Sequence, residues 1–156
     1  MAAYAQAAKA DPKDPELWEL VGEVQLKLGK VTEAEASFRE SLKVRERSVV
    51  HAALARLCQQ KKDEACAKAE LDKALETFSG EELRETLDLG ELLASFGRKK
   101  DALELLRQVS EESEQKGNTE LHLRTARLAK ELKDEVTVKA ACTRALSTGQ
   151  AGLKCP

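Results

Sequence analysis

Proline and glycine are scarce in this 156-residue chain, with three and eight occurrences. So few breakers exclude a disordered linker protein and a many-turned all-β fold. No apolar run approaches the ~20 residues of a membrane span, so direct membrane insertion is not expected. An excess of basic charge is missing too: 26 Lys plus Arg face 28 Asp plus Glu, for a formal charge of −2. A nucleic-acid binder usually needs a basic face to neutralise phosphates, so none is expected here. No β-branched alternation of useful length occurs, which argues against strands. The sequence also lacks a nucleophile–base pattern, a phosphate loop and a His-Glu-x-x-His helix, so neither an enzyme nor a cofactor or metal is expected. What remains is 42% hydrophobic and 35% charged, enough for a core under a well-solvated surface in one domain or a short repeat array.

An internal repeat organises those residues. Gly22 stands twelve residues before Ala34, and the same step recurs from Ala55 to Ala67, Gly90 to Ala102 and Ala126 to Val138. Four residues further on come Phe38, Leu71, Leu106 and Cys142, and three beyond those Ser41, Ala74, Val109 and Ala145. Every column advances by the same offsets of 33, 35 and 36. Within each half the apolar residues follow three-and-four spacing, as in Leu17, Val21, Val24 and Leu28, which predicts amphipathic helices. Short polar breaks (Gly29-Lys30, Lys61-Lys62-Asp63, Gly97-Arg98, Lys133-Asp134) predict hairpin turns. The small pair lets two antiparallel helices cross closely, and the larger residue fills the space beside the crossing. Asp14 before Pro15 offers an N-cap and a proline at the first helical position.

These columns resemble the tetratricopeptide repeat: Trp18, Val21, Gly22, Ala34, Phe38 and Ser41 fall on its pattern in one copy, and Leu54, Ala55, Ala67, Leu71 and Ala74 in the next. A third copy supplies Leu89, Gly90, Ala102, Leu106 and Val109, and a degenerate fourth keeps Ala126 and Ala145. The resemblance implies an all-α, right-handed α-solenoid of stacked antiparallel helical hairpins. The register divides the chain into the second helix of an incomplete repeat (1–14), repeats at 15–47, 48–82, 83–118 and 119–147, and a tail at 148–156. Because 1–14 is half a repeat and the tail (Gly149, Gly152, Pro156) does not read as a capping helix, a piece of a longer protein is expected. Extra residues at Ser79-Gly80-Glu81 and near Gly117-Asn118 fall in links between repeats.

The resemblance further implies a non-catalytic scaffold that binds a protein or peptide on the concave face, lined by the first helix of each repeat. Carried onto this chain, that face comprises Glu16, Glu19, Glu23, Leu26 and Lys27; then Val49, Ala52, Arg56, Gln59 and Gln60. It continues through Arg84, Leu87, Glu91, Ala94 and Ser95 to Glu120, Leu123, Arg127, Lys130 and Glu131. The groove is expected to be acidic in its first copy and apolar at its centre, favouring a segment with positive charge at one end. The family's clamp for chaperone C-terminal tails needs Lys and Asn where Glu19 and Glu23 stand, Asn at Ala53 and Arg at Asp88, so such a tail is not the expected ligand. The alternative is a structural piece of a larger assembly, such as bacterial secretion, pilus or motility machinery, using convex or end surfaces.

Basic clusters at Lys61-Lys62, Arg98-Lys99-Lys100 and Lys133 lie on the turn rim, either as an edge for an acidic partner or membrane surface or as cations offsetting helix C-termini. His51 and His122 both occupy the column that holds Trp18, and read as packing residues in place of an aromatic. The four cysteines leave two readings open. Cys58, Cys66, Cys142 and Cys155 are small buried hydrophobes, which suits the cytoplasm, or Cys58–Cys66 and Cys142–Cys155 are disulfides, which suits a periplasmic or extracellular setting.

Overall fold

The computed structural model describes residues 2–112, 118–149 and 154–156, and among them the fold is all-helical. Nine helices follow in order: α1 (Ala2–Ala10), α2 (Pro15–Lys27), α3 (Val31–Val44), α4 (Ser48–Gln60), α5 (Glu64–Glu76), α6 (Leu83–Ser95), α7 (Lys99–Glu112), α8 (Thr119–Glu131) and α9 (Glu135–Ser147). Gly117 and Gly152, singled out in the sequence, lie outside the described residues. None of these helices is long and apolar enough to cross a membrane. Two compact units divide the chain, Met1–Phe78 and Ser79–Pro156. Each contains two antiparallel hairpins: α2–α3 and α4–α5 in the first, α6–α7 and α8–α9 in the second, with α3 resting on α4 and α7 on α8.

One turn is used in all four hairpins. The backbone N–H groups of Lys30, Asp63, Arg98 and Asp134 reach back to the carbonyls of Gln25, Cys58, Leu93 and Ala129, each over 2.9 Å. This six-to-one bond satisfies carbonyls that the helix end would strand, and it demands a left-handed residue just before the donor. Gly29 and Gly97 meet that demand with φ of 73° and 77°; in the alternate hairpins Lys62 and Lys133 meet it at 58° and 60°, despite their β-carbons. Asp14, Asp63, Asn118 and Asp134 cap the helices that follow them, accepting bonds from backbone N–H groups in the first turn.

The crossings follow the small columns. Ala34, Ala55, Ala67, Ala102 and Ala126 are buried. Gly22 lies so close to the Phe38 ring that a Cβ built on it would stand 2.6 Å from Cε1. In the first unit Phe38 joins Ala34, Val50, Leu54 and Leu57 in one core, so α3 and α4 share their apolar faces. In the second unit Leu89, Leu93, Leu106, Val109 and Leu121 are buried. The fourth copy departs here, with Val138 half-buried in place of a small residue. Hydroxyls tie the hairpins as well: Ser41 Oγ donates to the Pro15 carbonyl at 2.8 Å, and the Thr119 and Thr148 hydroxyls share a bond of 2.7 Å.

Candidate functional site

In the second unit residues of α6, α7 and α8 line an open cleft of about 350 Å³. Its floor is apolar, with one leucine from each of the three helices. Leu87, Leu106 and Leu128, at 8, 4 and 9% exposure, show only an edge to solvent. Gly90 removes a side chain where one would cover Leu106, since a Cβ there would sit 3.1 Å from Leu106 Cδ2. The rim is charged, through Glu91, Arg124, Arg127 and Glu131. Arg124 is shared between Glu91 at 3.2 Å and Glu120 at 3.1 Å, and Lys99 of α7 holds Glu131 at 2.9 Å.

Of the residues expected on the concave face in this unit, Leu87, Glu91, Ala94, Arg127 and Glu131 come together around the cleft. Arg84 and Leu123 do not line it; Arg84 is exposed and lies 3.8 Å from Asp88. Lys130 instead lines a second cleft of about 430 Å³ at the α8–α9 turn, with Lys133, Lys139, Glu135, Val138 and Pro156.

In the first unit the expected acidic end is compensated. Arg47, in the link after α3, lies 2.8 Å from Glu19 and 3.6 Å from Glu16, and Arg45 reaches Glu16 at 3.3 Å. Glu23, Arg56 and Gln59 are exposed, whereas Ala52 is buried and Leu26 packs against the Phe38 core. The repeat resemblance placed the glutamates but carries no position for arginines in an irregular link.

The histidines are buried, His51 at 1% exposure. His51 Nδ1 lies 2.7 Å from Glu70 Oε2, and Nε2 contacts Glu46, so one imidazole joins α4, α5 and the link before α4. Glu70 is itself buried and lies 3.8 Å from Arg39. Nearby, Glu35 receives bonds from Lys61 and Arg39 that hold its carboxyl below the ordinary 4.5, Lys61 having the larger effect. The cysteines pair as Cys58 with Cys66 and Cys142 with Cys155: the sulfurs of each pair are in bonding contact, and each pair has its Cα atoms 5.7 Å apart, within the usual disulfide span. The first pair joins α4 to α5 across their turn, and the second holds the tail against α9.

Comparison with known proteins agrees with this architecture. Residues 2–48 match the tetratricopeptide-repeat family model. No curated protein sequence matches the chain significantly. Among solved structures, MamA superposes with a TM-score of 0.63 at 16% identity, over 95% of this chain and 85% of that one. YrrB, described as a TPR protein with an unusual peptide-binding site, gives 0.59 at 17% identity over 97% of this chain and 77% of that one. PilW, described as a widely conserved type IV pilus biogenesis factor, gives 0.62 at 22% identity, over 98% of this chain and 70% of that one. By sequence residues 2–48 are thus similar to the tetratricopeptide repeat, and the two units carry the tetratricopeptide-repeat fold of stacked helical hairpins.

Proposed function

We propose that this chain is a non-catalytic protein-interaction scaffold, and that it binds a peptide segment or partner protein on the face formed by the first helix of each hairpin. The observation that carries this reading is the open cleft lined by α6, α7 and α8, with leucines at its base and a missing side chain at Gly90. An apolar floor with a few polar groups at its edge is the general form of a binding cleft, and about 350 Å³ lies within the usual range of about 300–1,000 Å³. The unusual peptide-binding site of YrrB and the part of PilW in type IV pilus biogenesis fit a scaffold of this fold.

A photo-reactive amino acid placed at Ala94, in the cleft, and separately at Lys100, exposed on α7, tests the reading. In lysate of the native host, a partner should be captured from Ala94 and not from Lys100. Capture from Lys100 alone would favour the assembly-component alternative, with the contact on the outer helices.

A further inference from the structure

We infer that the partner of the second unit is an acidic peptide segment, with an aliphatic side chain seated between α6 and α8 and carboxylates running toward the α8–α9 turn. This rests on the cleft being the binding face, and it comes from the charges that the fold leaves unmatched. Around the cleft, each carboxylate of the rim already faces a cation: Glu91 faces Arg124, and Glu131 faces Lys99. Arg127 is exposed, lines the cleft and has no carboxylate partner among the described residues. Lys130 is in the same condition one turn further along α8, at the i,i+3 spacing that puts both cations on one side of the helix.

The track continues beyond Lys130. The neighbouring cleft of about 430 Å³ gathers Lys130, Lys133 and Lys139 around a single side-chain carboxylate, Glu135. A segment lying along α8 therefore meets an apolar floor first and uncompensated positive charge next. Apolar burial supplies affinity, and the charges set direction and discriminate against basic sequences. An apolar floor followed by a directional run of cations along α8 favours a linear peptide over an anionic membrane. The positively charged end that the sequence predicts belongs to the first unit, where Arg45 and Arg47 already face Glu16 and Glu19.

The test uses the full chain and four fluorescein-labelled dodecapeptides with one central position and one flank varied: leucine or serine at the centre, followed by four glutamates or four lysines. Anisotropy should show saturable binding for the leucine–glutamate peptide, weakened by salt, and little for the other three. The exposed pair Arg127→Glu with Lys130→Glu should weaken that binding about tenfold, since exposed ion pairs are individually modest, while leaving the melting curve unchanged. Ala94→Trp, which fills the cleft, should abolish it. If Ala94→Trp abolishes binding but charge reversal does not weaken it, or the lysine peptide binds as well, the acidic-segment inference is overturned and the cleft reading stands. If no peptide binds, or Ala94→Trp has no effect, both fall. Binding to phosphatidylserine vesicles without binding to any peptide also overturns the inference.

Discussion

Two glycines in the same column, Gly22 and Gly90, should respond in opposite ways to the same substitution. Replacing a mid-helix glycine by alanine ordinarily stabilises a helix by about 1 kcal/mol through backbone entropy. At Gly22 the new Cβ would stand 2.6, 2.8 and 2.9 Å from Cε1, Cδ1 and Cζ of Phe38. That ring is 1% exposed and wedged among Val50, Leu54 and Leu57, so it has nowhere to turn. Overpacking of this kind costs about 1–3 kcal/mol, leaving Gly22→Ala destabilised by about 1 kcal/mol net. At Gly90 the nearest atom is Leu106 Cδ2 at 3.1 Å, the end of an aliphatic side chain bordering an open cleft. A few tenths of an ångström of rotation relieve it, so Gly90→Ala should be neutral or stabilised by up to about 1 kcal/mol. Urea unfolding followed by circular dichroism measures both, and the fluorescence of Trp18, the single tryptophan, reports the first unit separately. Separate readouts matter because repeat arrays need not unfold as one cooperative transition. Phe38→Leu introduced into Gly22→Ala should recover part of the loss as a coupling between the two sites. A midpoint for Gly22→Ala at or above that of Gly90→Ala would refute the argument that this crossing is limited by ring contact.

Four further outcomes follow from the same geometry. His51→Ala strips Glu70 of its 2.7 Å partner while leaving the carboxylate buried, and should cost about 3 kcal/mol; the apolar pair His51→Phe with Glu70→Leu should recover much of it, and equal losses in both would count against the buried pair as the cause. Lys62→Gly relieves a left-handed backbone and should raise the urea midpoint by the equivalent of about 0.5–1 kcal/mol, whereas Lys61→Gly, at an ordinary helical φ, should lower it. Glu35, held below its ordinary 4.5 by Lys61 and Arg39, supports folding above that pH and loses its contribution as pH falls through its lower folded value; a Glu35→Gln variant should therefore show a shallower acid limb in pH-dependent melts. Thiol titration of the oxidised protein in denaturant should find no free thiol, and reduction should cost about 2–3 kcal/mol per bridge for loops this short; four free thiols without reductant would contradict the pairing.

The repeat was legible because close helix crossings leave a chemical trace. Only Gly or Ala fits at positions such as 34, 55 and 67, and a residue constrained that tightly announces its column. The polar ties were less legible, for two different reasons. Arg45 and Arg47 lie in a link whose backbone no periodicity fixes, so their reach to Glu16 and Glu19 had no sequence signal. Glu70 did leave one. It shares a column with Ser37, Leu105 and Ala141, all buried, and a lone charged residue there called for a buried partner such as His51. The cleft was half legible: the resemblance to the tetratricopeptide repeat placed Leu87, Glu91, Ala94 and Arg127 on one face. Which of the rim charges would neutralise one another depended on Lys99, a residue of the second helix whose side chain crosses to Glu131.

The six-to-one turn bond also bears on the order in which the chain becomes structured during synthesis. Each such bond spans five residues, and each hairpin packs its two helices against one another before any later hairpin is needed. A nascent chain that has emerged through Glu76 already holds every residue of the α2–α3 and α4–α5 hairpins, the Phe38 core among them. Contacts this local carry little loop-closure entropy, so helices can dock as they leave the ribosome rather than wait for the C-terminus. In a ribosome-stalling series, protease resistance should therefore rise in steps, each step falling where a second helix has just cleared the exit tunnel.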